Sequence, residues 1–236
     1  MSGVKTLVKN VMFGAEQPKT YDVRLGLLRG LRFEVDVRID TQQLTGLYER
    51  EIARPVREFA SQARSVIDIG AGDGYYTLFF ASQPGIEKII ACEPQTERVR
   101  LLERNLASNP GCRPERITVL PVCVGNPRAD GFRDLDSLLE TCPDPVLVKT
   151  DVEGAEREVL ESGRRAIANR NLMLIIETHS AELERECVRY LNANGYQCEI
   201  RDNGWYRKLF PELRPLDHNR WLTAKRADRA VSHHAA

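Results

Sequence analysis

The chain lacks an excess of either charge: 34 Lys and Arg face 34 Asp and Glu in 236 residues. That balance removes the basic footprint of a dedicated nucleic-acid binder. Residues 201–229 depart from it, with eight basic residues against four acidic ones. No run approaches the roughly 18 apolar residues of a membrane span. The start, Met1-Ser2-Gly3-Val4-Lys5, lacks an apolar signal region, and Ser2 stands where myristoylation requires glycine. None of the six cysteines forms a C-x-x-C pair, and no histidine lies at zinc-ligand spacing from two of them. Cys92 and Cys123 sit inside apolar runs, where a thiol behaves as a small buried hydrophobe. No G-x-x-x-x-G-K-[ST] occurs, so a P-loop has no support. These absences lead to the expectation of a cytoplasmic protein with free thiols and no membrane partner.

What is present is an ordinary globular composition, 42% hydrophobic and 29% charged, enough for a substantial core. From residue 65 onward, short apolar runs alternate with amphipathic stretches. Ser65–Ile69, Lys88–Cys92, Ile117–Leu120, Val146–Thr150 and Leu172–Ile176 read as buried strands. Helices are predicted from Tyr75 to Ala81, over 95–108, from Gly154 to Ser162 and over 181–193, the last with Ser180 as N-cap. Gln197–Ile200 and Arg220–Ala224 close the set. Strands separated by helices imply an α/β fold with a mostly parallel, seven-stranded sheet covered on both faces. The first 60 residues break this rhythm: Arg32–Ile39 alternates like a half-exposed strand, and Leu47–Phe59 reads as a helix bent or started at Pro55. The expected organisation is an N-terminal cap over 1–60, one domain over 61–227 and a disordered tail over 228–236.

The strongest local signal is Asp68-Ile69-Gly70-Ala71-Gly72-Asp73-Gly74, a strand running into a glycine loop that opens a helix. Open α/β sheets bind ligands at the carboxyl ends of their strands. Glu93 ends the next strand, 23 residues after Gly70, where a carboxylate can accept bonds from both hydroxyls of a ribose. A dinucleotide site reads G-x-G-x-x-G. Here the spacing is G-x-G-x-G, with acids at Asp68 and Asp73 that would repel a pyrophosphate and attract an ammonium and a sulfonium. The loop therefore favours S-adenosylmethionine over NAD as cofactor.

These segments resemble the class I S-adenosylmethionine-dependent methyltransferases, and within them the FkbM-type family. The resemblance is carried by Val66 to Thr77, by Ala91-Cys92-Glu93-Pro94, by Leu135 to Leu139 and by Ile175-Ile176-Glu177-Thr178-His179. Its most specific element is Val148-Lys149-Thr150-Asp151-Val152-Glu153-Gly154-Ala155-Glu156. Gly46-Leu47-Tyr48-Glu49-Arg50-Glu51 is similar to the family's segment ahead of the sheet. The match spans roughly residues 45–200. It implies a Rossmann-like fold and methylation of a hydroxyl on a small-molecule or glycan-like acceptor. The cofactor-binding set is then Glu49, Asp68, Gly70, Ala71, Gly72, Asp73, Gly74, Tyr75, Glu93, Pro94 and Asp151. Asp73 departs from the family, which often has Asn there; both are short and polar, so the site is expected to survive.

An alcohol nucleophile must lose a proton, so a carboxylate or imidazole near it is useful. The ends of the fourth and fifth strands supply Asp151, Glu153, Glu177 and His179. Strand alternation gives Glu177 and His179 the same parity. His179 is the first choice of base, because its pKa lies nearest working pH; Asp151 is expected at the methyl site and Glu177 beside it. Glu153 and Lys149 read equally well as an ion pair. A divalent metal is compatible with this donor set but not favoured. Asp134 and Asp136 are expected to cap a short helix at 137–140, and Cys142 to be inert. No Asn/Asp-Pro-Pro-Tyr loop follows the fourth strand and the fifth carries no lysine, which disfavours nucleobase and ribose acceptors. An NAD-dependent oxidoreductase and a catalytically silent S-adenosylmethionine-binding partner subunit are the alternatives.

Overall fold

The computed structural model describes residues 18–38, 40–126, 131–204 and 218–226. The expected tail at 228–236 lies outside them, as do the first 17 residues of the cap and much of the basic run at 201–229. In chain order the principal elements begin with β1 (Lys19–Asp22), β2 (Arg32–Val35), α1 (Gln42–Thr45), α2 (Ala53–Gln62), β3 (Ser65–Ile69) and α3 (Tyr75–Ser82). Then come β4 (Lys88–Cys92), α4 (Thr96–Ala107), β5 (Ile117–Leu120), β6 (Cys123–Val124), β7 (Phe132–Arg133) and α5 (Leu135–Glu140). The chain continues through β8 (Val146–Thr150), α6 (Glu156–Ser162), α7 (Arg164–Asn169), β9 (Leu172–Thr178), α8 (Ala181–Ala193), β10 (Tyr196–Arg201) and β11 (Arg220–Arg226).

Seven strands form one sheet in the order β10-β11-β9-β8-β3-β4-β5. The pairs from β9 through β8, β3 and β4 to β5 are parallel, and β11 runs antiparallel to both its neighbours. This is the mostly parallel, Rossmann-like sheet expected from the alternating runs. Strand alternation divides the core in two. Val66, Ile89, Leu147, Met173, Ile175 and Trp221 face the N-terminal segment and α3. Ile67, Ile69, Ile90, Val148, Leu174 and Ile176 face α5, α6, α7 and α8. Because both faces are covered, the inner strands β3 and β8 are buried at every position.

The N-terminal segment is built from shorter pieces than the sequence suggests. β2 stops at Val35 and pairs with β1 from Lys19↔Val35 to Asp22↔Arg32, while Ile39, the expected strand end, lies outside the described residues. The expected helix from Leu47 is broken by Glu49, whose φ of 42° is left-handed. A 3-10 turn at Arg50–Ile52 follows, and α2 starts only at Ala53. Pro55 sits in the first turn of α2, where its missing N–H would have had no intrahelical acceptor. α2 also runs across the expected boundary at residue 60.

Asp134 caps α5, accepting from the Ser137 N–H at 2.9 Å. Asp136 does not cap it. Its buried carboxylate accepts from the backbone N–H groups of Arg165 and Ala166, at the start of α7. All six cysteines are free, and burial pushes the Cys142 thiol up, leaving it neutral.

Candidate functional site

The glycine loop between β3 and α3 is held from beneath by backbone bonds. The N–H groups of Gly70 and Ala71 both donate to the Cys92 carbonyl, at 2.9 and 3.0 Å. Gly70 has φ of +73°, and a Cβ there would lie 1.8 Å from the Asp151 carbonyl oxygen. Only glycine lets the loop press this closely on the end of β8. The Asp151 N–H donates to the Ile69 carbonyl at 2.9 Å and completes the seam. Gly74, at φ +89°, allows a similar approach to Leu102 of α4.

Glu93 is buried at the end of β4 and holds the loop with both carboxylate oxygens. One accepts from the Gly72 N–H and the other from the Gln95 N–H, each at 2.9 Å. Ala71 is buried against α4, whereas Pro94 is exposed beside Glu93. Asp73 receives a hydrogen bond from the Gln43 side-chain amide of α1 at 3.0 Å. Burial pushes the Asp73 carboxyl up, and the Arg98 guanidinium opposes that rise. Arg98 Nη1 lies 3.1 Å from the position a Gly72 Cβ would take.

Register brings the charged groups of the strands together. β3 and β8 pair Asp68 with Lys149, both pointing toward the N-terminal segment. Lys149 is 1% exposed. Its ammonium lies 3.6 Å from Asp68 and 3.7 Å from Asp151, and 4.7 Å from the centre of the Tyr76 ring. It pairs with these carboxylates rather than with Glu153, which is exposed. Asp68 also accepts from the Thr77 hydroxyl at 2.7 Å, so it meets the site through Lys149. Tyr75 is buried edge-on against Tyr48 and Phe33.

Glu49 enters this cluster from the N-terminal segment. It is 6% exposed and accepts a 2.5 Å bond from the Tyr76 hydroxyl. Burial and the Asp151 carboxylate push its pKa up to about 8, against the pull of Lys149. Glu177 at the end of β9 is 5% exposed, and burial and Asp151 raise it well above the carboxylate range. Burial would raise Asp151 too, but Lys149, a hydrogen bond with Glu177 and His179 bring it below its ordinary value. Burial and the neighbouring carboxylates thus push Glu49 and Glu177 toward their protonated forms, while Lys149 draws Asp151 toward its ionised form.

His179 follows β9 and turns its Nε2 toward this group, 3.9 Å from both Asp151 and Glu177. Its Nδ1 lies 2.5 Å from Oε1 of Glu156, the fully buried first residue of α6. Burial would lower the His179 pKa, but Glu156 and the nearby carboxylates raise it. Asp151, Glu177 and His179 each offer an atom within 4.8 Å of the others, a set that could hold a divalent cation. Expected strand parity brought Glu177 and His179 together. Gln43 and the contact of Glu156 with His179 lay beyond that reading: Gln43 has no motif around it, and Glu156 stands in the Lys149–Glu156 block without a visible partner.

The family model described as "Methyltransferase FkbM domain" matches residues 132–198, from β7 through α8 into β10. No curated protein sequence matches the chain. Among solved structures, the FkbM methyltransferase of Methylobacillus flagellatus KT superposes with a TM-score of 0.54 at 20% identity, over 78% of this chain. This chain spans only 55% of that protein's length. TYW2 from M. jannaschii, solved in complex with AdoMet, gives 0.52 at 16% identity, over 90% of this chain and 87% of that one. A SAM-dependent O-methyltransferase from Thermotoga maritima gives 0.50 at 16% identity, covering 77% and 66%. At these identities the superpositions establish the Rossmann-like methyltransferase fold. The FkbM-domain match falls on the strand ends that carry Asp151, Glu156, Glu177 and His179, so the chain is similar to FkbM methyltransferases over the residues of this site.

Proposed function

We infer that the protein transfers a methyl group from S-adenosylmethionine to a hydroxyl of a small-molecule or glycan-like acceptor. The observation that carries this reading is the seam at Gly70 and Asp151, which sets the glycine loop directly against the Asp151–Glu177–His179 group. The donor set fits a cationic cofactor. Carboxylates at Glu93, Asp73 and Asp151 line the loop, and the buried Gln43 Oε1 beside Asp73 accepts no hydrogen bond among the described residues. A pyrophosphate would meet these acids unfavourably, which counts against the NAD-dependent alternative.

When bound, S-adenosylmethionine supplies a methyl group already activated by its sulfonium. Glu93 is placed for the ribose hydroxyls, and Gly70, Ala71, Gly72, Asp73 and Gly74 form the floor, with Tyr75, Asp68 and Glu49 shaping it from behind and Pro94 at its rim. Asp151 faces the methyl position. His179 takes the hydroxyl proton at Nε2, with Glu177 beside it. Holding the acceptor oxygen in line can supply about 7–11 kcal/mol of barrier reduction. Lys149, 3.7 Å from Asp151, already brings positive charge to this end of the site, which favours a reaction without a divalent metal. The N-terminal segment, which brings Glu49 and Gln43 to the site, is then the natural source of acceptor contacts, and a cytoplasmic setting suits the free thiols.

Calorimetry with S-adenosylmethionine and with NAD tests the cofactor. Only the former should bind, and Glu93→Ala should weaken it by about 100-fold, the value of two lost charge-assisted hydrogen bonds. Binding of NAD alone refutes the reading. An acceptor screen following S-adenosylhomocysteine release tests the reaction, and the rate should survive EDTA. Tight donor binding with no turnover on any hydroxyl acceptor would instead identify a silent partner subunit.

A further inference from the structure

We propose that Glu156 is a positioning residue for His179, fixing its tautomer and ring orientation so that Nε2 is the proton acceptor at the strand ends. The geometry is a double grip by one oxygen. Glu156 Oε1 lies 2.5 Å from Nδ1 of His179 and accepts from the backbone N–H of the same residue at 3.2 Å. A ring held at both its own nitrogen and its main chain has one orientation, with Nε2 directed at Asp151 and Glu177. With the Nδ1 proton donated to Glu156 Oε1, the Nε2 lone pair is left open.

A purely structural role explains less of what is seen. Glu156 has no exposure, and its second oxygen accepts no hydrogen bond among the described residues. A buried carboxylate left half satisfied is costly, and a fold with no use for it would favour an apolar or amide side chain there. What the carboxylate gains is its contact with His179. Gly154, at φ +89°, turns the chain between Asp151 and Glu156, so one short loop sets both sides of the imidazole.

The charged and titratable groups facing His179 come from three places. Asp151 and Glu153 lie in the loop after β8, Glu177 on β9 and Glu156 on α6. The Cys187 thiol of α8 faces Glu156, and burial and that carboxylate hold it neutral with a pKa pushed up to about 12. In the reaction the acceptor's O–H bond breaks and its proton passes to Nε2. The imidazole becomes an imidazolium whose Nδ1–H faces Glu156. This role rests on the methyl-transfer reading for its kinetic consequences, whereas the ring geometry can be read without turnover.

The test compares wild type with E156Q and E156A. Nitrogen-15 NMR of labelled histidine reads the His179 tautomer and its titration midpoint without any acceptor. Wild type should show the Nδ1–H tautomer, and E156Q should lower the midpoint by about one pH unit as the facing negative charge is lost. In turnover, E156A should reduce kcat by about 100-fold, with E156Q between it and wild type. The rising limb of the E156Q pH profile should move to lower pH, with donor affinity unchanged. The proposal is overturned if His179 shows the same tautomer and midpoint in wild type and E156Q. It is also overturned if both variants lose kcat equally with the limb unmoved. Should wild type turn over no acceptor, the methyl-transfer reading falls, and the NMR comparison still decides the role of Glu156.

Discussion

Replacing Glu49 by Gln should make the protein more stable at alkaline pH, and the size of the gain follows from the surroundings of the side chain. Glu49 is buried beside Asp151, with Tyr48 and Tyr76 packed around it and Lys149 as the nearby cation. Its pKa in the folded protein is about 8, against an ordinary 4.5. Between those two values the folded state holds a proton that the unfolded chain releases, so raising the pH favours unfolding. The Glu49 contribution is complete below about pH 4.5, declines through the window and levels off above about pH 8. At about 1.4 kcal/mol for each pH unit, the ceiling is about 5 kcal/mol. Asp151 shares the same charge field and adjusts with it, so a difference of about 2–5 kcal/mol is expected. Gln carries no charge at any pH, and its carbonyl oxygen can still accept from the Tyr76 hydroxyl. Urea unfolding of both proteins at about pH 5, 7 and 9 reads the difference directly. The two should be close at the lowest pH and diverge steadily as it rises, with the variant the more stable. A difference that stays constant across the range would refute the reasoning, because only an ionising carboxyl at residue 49 can make it grow.

Two further changes test the floor of the site. Gly70→Ala places a methyl 1.8 Å from the Asp151 carbonyl in a left-handed conformation, and should cost about 2–5 kcal/mol in urea unfolding with loss of donor binding; a variant as stable as wild type would show the seam to be slack. Lys149→Met removes the ammonium from Asp68 and Asp151, and an unpaired buried carboxylate should lower stability by about 3–5 kcal/mol; a stability change under about 1 kcal/mol would mean that these acids do not depend on it.

The sheet was readable because its strands are buried on both faces and therefore appear as uninterrupted apolar runs. Ser65–Ile69 and Val146–Thr150 coincide with the observed strands for that reason. The N-terminal segment was harder, since strands of four residues and a left-handed Glu49 leave no periodicity to detect. Asp136 looked like a cap for its own helix, yet it serves the next one, a partnership decided by how α5 meets α7. The candidate site shows the same division. The glycine loop, Glu93, Glu177 and His179 announce themselves by motif or parity. The Asp68–Lys149 pair needs the β3–β8 register, and the partner of Glu156 needs the position of the β9 end beside α6.

The packing of the N-terminal segment has a thermodynamic consequence. Val23, Leu28 and Phe33 share one apolar cluster with Leu147, Ile175 and Trp221 of the sheet, and Asn105 of α4 and Asn109 just beyond it accept from the backbone of β2 at 2.7 and 2.8 Å. Asn105 also donates to the Asp73 carbonyl, within the glycine loop itself. Opening the β1–β2 hairpin therefore loosens the cleft, and by linkage anything that occupies the cleft must hold the hairpin shut. The exchange of hairpin amide protons with solvent becomes a remote gauge of occupancy, the logarithm of its rate falling in proportion to the free energy of the ligand bound over a loop dozens of residues away.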